Sequence, residues 1–275
     1  MKLLILGYYN RNNLGDDMFK EAMVKVFAGH DCSFFNTDDF KGDVDSYDAI
    51  VCGGGDIIND YFIPVIKKII KGYEKNVFAV GIGLPYLPLI RNGYLDIFDH
   101  VFIRERTDLL RLQRRLGSQY AHYLPDLGFI LDKPIRTNKN NGTVGVFLPQ
   151  QLSESKSVIF GLTKFLEYVG SKYKVIFYSF CTSGKNSDDD RILSRNLYET
   201  LKEYNDNYSV DDTVYDTYKM IEKIAELDYA ICGRFHSHIF SIIAGTPFIS
   251  IYSTRKVKLL MDEEDYQWTC PIELT

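Results

Sequence analysis

The stretch from Tyr229 to Tyr252 leaves the chain little choice of fold. An apolar run, Tyr229 to Cys232, stops at Gly233 and is followed at once by a helical pattern with Ile239, Phe240, Ile242 and Ile243 on its apolar side. Gly245 ends that pattern, and Pro247 leads into a second β-rich run, Phe248 to Tyr252. Strand, glycine turn, helix and strand make a βαβ unit. Its first turn lies at the carboxyl edge of a parallel sheet, where open α/β folds bind ligands. That turn carries Arg234 and His236. An arginine beside a helix N-terminus suits an anion, because unpaired backbone N–H groups and the positive end of the helix dipole act together. A histidine there can exchange a proton near neutral pH. The structural alternative puts Arg234 on a neighbouring carbonyl and makes His236 or His238 a hydrogen-bonded turn residue. Two histidines at i and i+2 leave a helix on different sides, so no metal pair is expected.

Upstream, Lys2 to Leu6 reads as the first strand, and GYYNRNNLGDD is a Gly- and Asn-rich loop feeding a helix. That helix has Met18, Phe19, Ala22, Met23, Val26 and Phe27 at helical spacing, with Asp16 or Asp17 suited to its first turn. Gly7 and Gly15 lack the GxGxxG spacing, so the loop is either a ligand loop without a dinucleotide fingerprint or a long β–α connection. Asp48 to Cys52 is a second strand, followed by Gly53, Gly54 and Gly55, which permit close approach of a ligand or of another chain segment. Val77 to Val80 ends in Gly81-Ile82-Gly83, and three glycine-bearing strand ends in one half suggest a shared cleft. His100 to Ile103 ends at Arg104-Glu105-Arg106, which reads as one arginine reaching the cleft or as an Arg–Glu surface pair. A helix capped by Thr107 and stopped near Gly117 follows. Leu124-Pro125-Asp126 sets a carboxylate after another short strand, where a structural role is expected.

PIRTNKNNG, residues 134–142, has little apolar content and reads as a linker, dividing the chain into domains 1–136 and 137–275. The alternation then resumes with strand Val144 to Leu148, a helix near Ser157 to Val169, and strand Lys174 to Tyr178. Asp188-Asp189-Asp190 reads as a solvated cap before a helix through Leu201, and a further helix spans about Tyr215 to Leu227. The expected class is α/β, with two α/β halves facing each other across the linker.

With 32 Lys and Arg against 37 Asp and Glu, the formal charge is −5, which argues against a nucleic-acid surface. Cys32, Cys52, Cys181, Cys232 and Cys270 lie far apart without CxxC spacing, so neither a zinc site nor a disulfide framework is expected, and a reducing compartment fits. No long apolar span is present, so no transmembrane segment is expected. The expected location is cytoplasmic.

GYYNRNNLGDD, CGGGD, GIGLP, FIRERTDLLRLQRRLG, PDLGF and GRFHSHIFSIIAGTPFISIYSTRKV together resemble the polysaccharide pyruvyl transferase family. The last is the most specific. It resembles the family's Arg–x–His opening of a helix, its following Gly–x–Pro and a lysine twenty residues past the histidine, here Lys256. The resemblance implies a GT-B-like pair of Rossmann-like domains, the N-terminal one on the acceptor side and the C-terminal one on the donor side. It implies transfer of a pyruvyl group from phosphoenolpyruvate onto two hydroxyls of a sugar in a glycan, forming a ketal, with no separate cofactor and no metal. Arg104, Arg234, His236 and Lys256 fall at the positions tied to donor binding and catalysis. Asn13, Gly15, Asp16, Gly54 and Gly55 are expected along the substrates. The chain departs from the family at Thr254-Arg255, where Asp-Pro is common.

The residue types suit this chemistry on their own terms. Phosphoenolpyruvate carries a carboxylate and a phosphate, and Arg104, Arg234 and Lys256 could hold both, arginine bidentately. A protonated His236 fits a general acid. Two other readings stay open: a GT-B glycosyltransferase using a nucleotide sugar, and a catalytically silent member of the fold. Association of identical copies is also left open.

Overall fold

A computed structural model describes residues 1–84, 93–117, 119–136, 140–251 and 254–263. Pro85, Tyr252, Cys270 and the middle of the proposed linker, 137–139, lie outside those residues. The chain forms two compact units. Of the described residues, the first unit takes 1–11, 16–131 and 258–263, and the second takes 12–15 and 132–257.

The first unit holds a six-stranded parallel sheet. Its strands are β1 (Lys2–Gly7), β2 (Asp31–Asn36), β3 (Ala49–Gly55), β4 (Val77–Ile82), β5 (His100–Ile103) and β6 (Ala121–Tyr123), in the order β2-β1-β3-β4-β5-β6. Central strands of such a sheet are covered on both faces and so read as unbroken apolar runs. All seven residues of β3 are buried. Helices α2 (Phe62–Ile69) and α3 (Arg106–Leu116) contribute Ile63, Ile66 and Leu112 to the core with Leu4, Leu6, Ile50 and Cys52. Helix α1 (Leu14–Val26) buries Met18, Phe19, Ala22 and Met23.

The second unit holds a five-stranded parallel sheet of β7 (Thr143–Phe147), β8 (Lys174–Tyr178), β9 (Tyr208–Asp211), β10 (Tyr229–Cys232) and β11 (Phe248–Ser250). Their order is β11-β10-β7-β8-β9. The succession runs outward from β7 to β9 and then restarts on β7's other side with β10, so the topological switch point lies between β7 and β10. Its helices are α4 (Lys156–Gly170), α5 (Asp190–Leu201), α6 (Thr217–Ala225) and α7 (Phe235–Ala244), and α8 (Arg255–Glu263) begins in this unit and ends in the first. The α/β class expected from the sequence is therefore present in both units.

Several local expectations need correction. Gly53, Gly54 and Gly55 are not a turn after β3 but its last three residues. Gly54 (φ 80°) and Gly55 (φ 76°) are left-handed, and a Cβ on Gly54 would strike the ring of Phe19, so helix-to-sheet packing accounts for the glycine there. Helix α3 begins at Arg106 with Glu105 at its N-cap, ahead of Thr107; the Glu105 carboxylate is taken by Arg104 and does not cap it, and the Arg106 N–H is instead accepted by the Glu263 carboxylate at 2.6 Å. Strands β2 and β9 give no clear apolar run. Both are edge strands carrying half-buried and exposed residues.

Candidate functional site

The carboxyl end of β10 and the start of α7 form the centre of the second unit's site. The Gly233 N–H donates to the Phe147 carbonyl at 2.8 Å, tying the turn to the end of β7. A Cβ on Gly233 would come within 2.7 Å of Pro149 and 3.0 Å of that same carbonyl oxygen, so only glycine lets the two strand ends close up. Arg234 is the N-cap of α7 in an extended conformation (φ −78°, ψ 139°) with no side-chain cap. Its carbonyl accepts from the Ser237 hydroxyl (2.6 Å) and from His238 Nδ1 (2.8 Å). The first helical turn is thus closed without help from the Arg234 side chain, which is left for other work.

That work is an ion-pair network. Arg234 Nε donates to both oxygens of Asp190 (3.1 and 3.0 Å), and Nη2 reaches Asp190 and Asp188, the latter at 3.0 Å. Asp190 is fully buried at the start of α5. Its carboxylate also accepts backbone N–H groups from Gln150 (3.1 Å), Phe180 (3.2 Å) and Cys181 (2.9 Å). Burial opposes the charge on Arg234, but Asp190 outweighs it and holds the guanidinium protonated well above its ordinary range. The Asp188–Asp190 run is therefore more than a solvated cap. Asp189 does cap α5, accepting the Arg191 N–H at 3.1 Å, while both its neighbours bind Arg234, Asp190 from full burial and Asp188 from the half-exposed rim.

His236 and His238 divide as helical geometry requires. His238 is fully buried. A carbonyl can only accept, so its Nδ1 carries the hydrogen toward Arg234, and Nε2 accepts from the Ser250 hydroxyl at 2.8 Å. Burial pulls its pKa from 6.5 down to about 4, so it is a neutral structural residue at physiological pH. The unfolded chain protonates His238 below about pH 6.5 and the folded chain does not until about pH 4. Stability is thus expected to fall by about 3 kcal/mol from this group as pH drops through that window. Urea titrations at pH 7, 5.5 and 4 check this: His238→Gln should be less stable at pH 7 and should lose less between pH 7 and 4.

His236, two residues earlier, is half-buried. Its ring meets Phe235 edge to face, centroids 5.1 Å apart, and Lys256 Nζ lies 5.4 Å from the centroid of that same Phe235 ring. Gly15 closes the other side: a Cβ there would overlap the His236 imidazole. The Gly15 N–H donates to Asn13 Oδ1 at 3.2 Å. The second unit therefore gathers Arg234, His236, Lys256, Asn13 and Gly15.

In the first unit, Arg104 stands at the carboxyl end of β5 with its side chain only 3% exposed. Nε donates to Glu105 (2.8 Å), Nη2 to Asp56 (2.9 Å) and Nη1 to Asp126 (3.3 Å). Burial pushes the Glu105 and Asp126 carboxyls up against the pull of this guanidinium. The Arg–Glu pair, one of the two readings of this turn, is present but buried. Asp126 has the structural role expected of it, also accepting the Gly128 N–H at 2.9 Å. Asp16 approaches Gly55, where a built Cβ would lie 3.4 Å from Asp16 Oδ1. Sequence reasoning passed over Asp56, whose only signal is its place directly after the glycines of β3.

Among the described residues no cluster of three or more His, Cys, Asp or Glu is arranged to hold a metal ion, and Cys32, Cys52, Cys181 and Cys232 are free thiols. No helix among them is long and apolar enough to cross a membrane. A separate groove of about 740 Å³ lies over β8 and β9, lined by Ile176, Tyr178, Asp211, Lys223 and Glu226, and none of the site residues above lines it.

A family model described as polysaccharide pyruvyl transferase matches residues 13–255. No curated protein matches the chain by sequence. Among solved structures, the S. aureus MnaA–UDP co-structure superposes with a TM-score of 0.65 at 9% identity, covering 93% of this chain and 80% of that one. Methanocaldococcus jannaschii UDP-GlcNAc 2-epimerase, in complex with UDP-GlcNAc and UDP, gives 0.63 at 11% identity, covering 99% and 89%. At such identities the likeness speaks for the fold alone, which is GT-B-like. With the family model spanning most of its length, the chain belongs to the polysaccharide pyruvyl transferase family.

Proposed function

We propose that the protein transfers a pyruvyl group from phosphoenolpyruvate to two hydroxyls of one sugar in a glycan, releasing phosphate and forming a ketal. The observation that carries this reading is the start of α7, where Arg234 and His236 stand at the β7/β10 switch point with Lys256 against Phe235. Arg234 and Lys256 supply positive charge for the donor's carboxylate and phosphate. His236 serves as the general acid. One acceptor hydroxyl adds to C2 of the donor while His236 gives a proton to the methylene carbon, which becomes the methyl group, and the proton of that hydroxyl returns to the imidazole. The bond from C2 to the phosphate oxygen then breaks, the second hydroxyl bonds to C2, and its proton leaves with the phosphate. Arg104, enclosed by three carboxylates, would have to exchange one of them to touch the donor directly. Its role in this scheme is to hold Asp56 and Asp126 at the sheet edge.

The nucleotide-sugar reading draws on the UDP-bound structural relatives, so UDP-GlcNAc belongs in the same assay as a competing donor. The test is phosphate release from phosphoenolpyruvate in the presence of a panel of saccharide acceptors. Acceptor-dependent release is expected from the native protein, and His236→Ala should lower it by about 10² or more. Near-normal turnover in that variant removes His236 from the acid role.

A further inference from the structure

We infer that Gly15 is a positioning residue for His236: its bare α-carbon is the seat against which the imidazole is oriented. This rests on the reading above that His236 is the acid.

Gly15 lies in the first turn of α1, where no helix-specific need calls for glycine. Its φ is not left-handed, so alanine fits the backbone there and is the better helix former. What excludes a side chain is His236. A Cβ on Gly15 would overlap Nδ1, Cγ and Cε1 of the ring, and Cγ is not the far end of a flexible chain that can swing aside cheaply.

The segment that presents Gly15 is held rigidly to the residues that also hold Arg234. The Leu14 N–H donates to the Phe180 carbonyl (2.9 Å), and the Thr182 N–H donates to the Asn12 carbonyl (2.8 Å). These two bonds make Asn13 and Cys181 an antiparallel bridge. Asn12 reaches it through a left-handed conformation (φ 55°), one that asparagine tolerates better than other non-glycine residues. Phe180 and Cys181 are themselves fixed by the Asp190 carboxylate, which also binds Arg234. Arg234 and His236 are two residues apart on α7, so the chain of contacts closes on itself. It runs from Arg234 to Asp190, to Phe180 and Cys181, to Asn12–Gly15, and back to His236. A displacement of the ring by the width of a methyl group is enough to move a proton donor off its target, and misplacement of about 1 Å can cost 10²-fold in rate.

The test compares Gly15→Ala in the native background and in His236→Ala, with Gly161→Ala as control, because a Cβ on Gly161 in α4 meets nothing. Helix propensity alone predicts that Gly15→Ala raises the melting temperature in both backgrounds. The seat predicts a change of sign: a lower melting temperature with His236 present, and an equal or higher one with His236 removed. In Gly15→Ala the His236 ring resonances, assigned by their loss in His236→Ala, should shift while those of His30, His100 and His122 stay in place. The turnover expected is about 10²-fold lower in kcat with KM for phosphoenolpyruvate little changed, since Arg234 and Lys256 are untouched. If Gly15→Ala fails to fold alone but folds together with His236→Ala, the seat is supported. If the double variant also fails, or the ring resonances or kcat stay at native values, it is overturned. A native protein that releases no phosphate from phosphoenolpyruvate, yet shows the sign change and the ring shift, leaves the seat standing and removes the pyruvyl-transfer reading instead.

Discussion

Replacing Arg104 by alanine is expected to lower the stability of the protein by about 3–5 kcal/mol at neutral pH, because it strips the counter-charge from a buried carboxylate cluster. The side chains of Glu105 and Asp126 are 6% and 2% exposed, so neither can recover its hydration where it stands, while Asp56 at 29% can in part. Burial already pushes the Glu105 and Asp126 carboxyls up, and loss of the guanidinium pushes them further. The sign of the pH dependence follows. A carboxyl whose folded pKa lies above its unfolded value binds protons more readily in the folded chain, so the variant's deficit narrows as pH falls from 7 toward the ordinary carboxylate range near about 4. Arg104→Lys should be intermediate, since an ammonium cannot span three carboxylates as the planar fork does. Urea unfolding at pH 7 and pH 5 measures both effects. An Arg104→Ala variant of native stability at pH 7 contradicts the role assigned to this cluster.

Asp190→Ala is expected to cost a similar amount, about 3–5 kcal/mol, by a different route. The carboxylate accepts N–H groups of Gln150, Phe180 and Cys181 and binds Arg234. Its removal leaves three backbone donors without their acceptor, each worth about 1–3 kcal/mol if it stays buried, and leaves Arg234 with Asp188 alone. Asp190→Asn retains one carbonyl oxygen and should fall between. Thermal unfolding of the two variants gives the order, and a loss below about 1 kcal/mol in Asp190→Ala contradicts the network.

The residues that became the site were legible where local sequence determines geometry. Tyr229–Cys232, Gly233 and the apolar face of α7 place Arg234 and His236 at a strand-to-helix turn by connectivity alone, and the structure puts that turn at the β7/β10 switch point. What the sequence could not show is which charges find one another. Asp190 lies 44 residues from Arg234, inside a polar run where a capping role is the ordinary reading. Asp126 and Asp56 lie 22 and 48 residues from Arg104, and nothing in the adjacent Arg104-Glu105 pair says that it is buried rather than exposed. The glycines tell the same story. Local sequence leaves Gly54 and Gly15 open between facing a ligand and facing another chain segment, and the structure puts Phe19 and His236 against them, contacts set by helix placement rather than by local pattern. Strands β2 and β9 are hard to read because, Tyr208 apart, these edge strands hold only half-buried and exposed residues and so carry no apolar run.

Calorimetric titration with phosphoenolpyruvate, run beside UDP-GlcNAc and repeated on Lys256→Ala, tests the central claim most directly. The expected result is saturable binding of phosphoenolpyruvate by the native protein, weakened in Lys256→Ala, with no heat from UDP-GlcNAc. Saturable binding of UDP-GlcNAc with none of phosphoenolpyruvate would contradict pyruvyl transfer and point to nucleotide-sugar chemistry on the same fold.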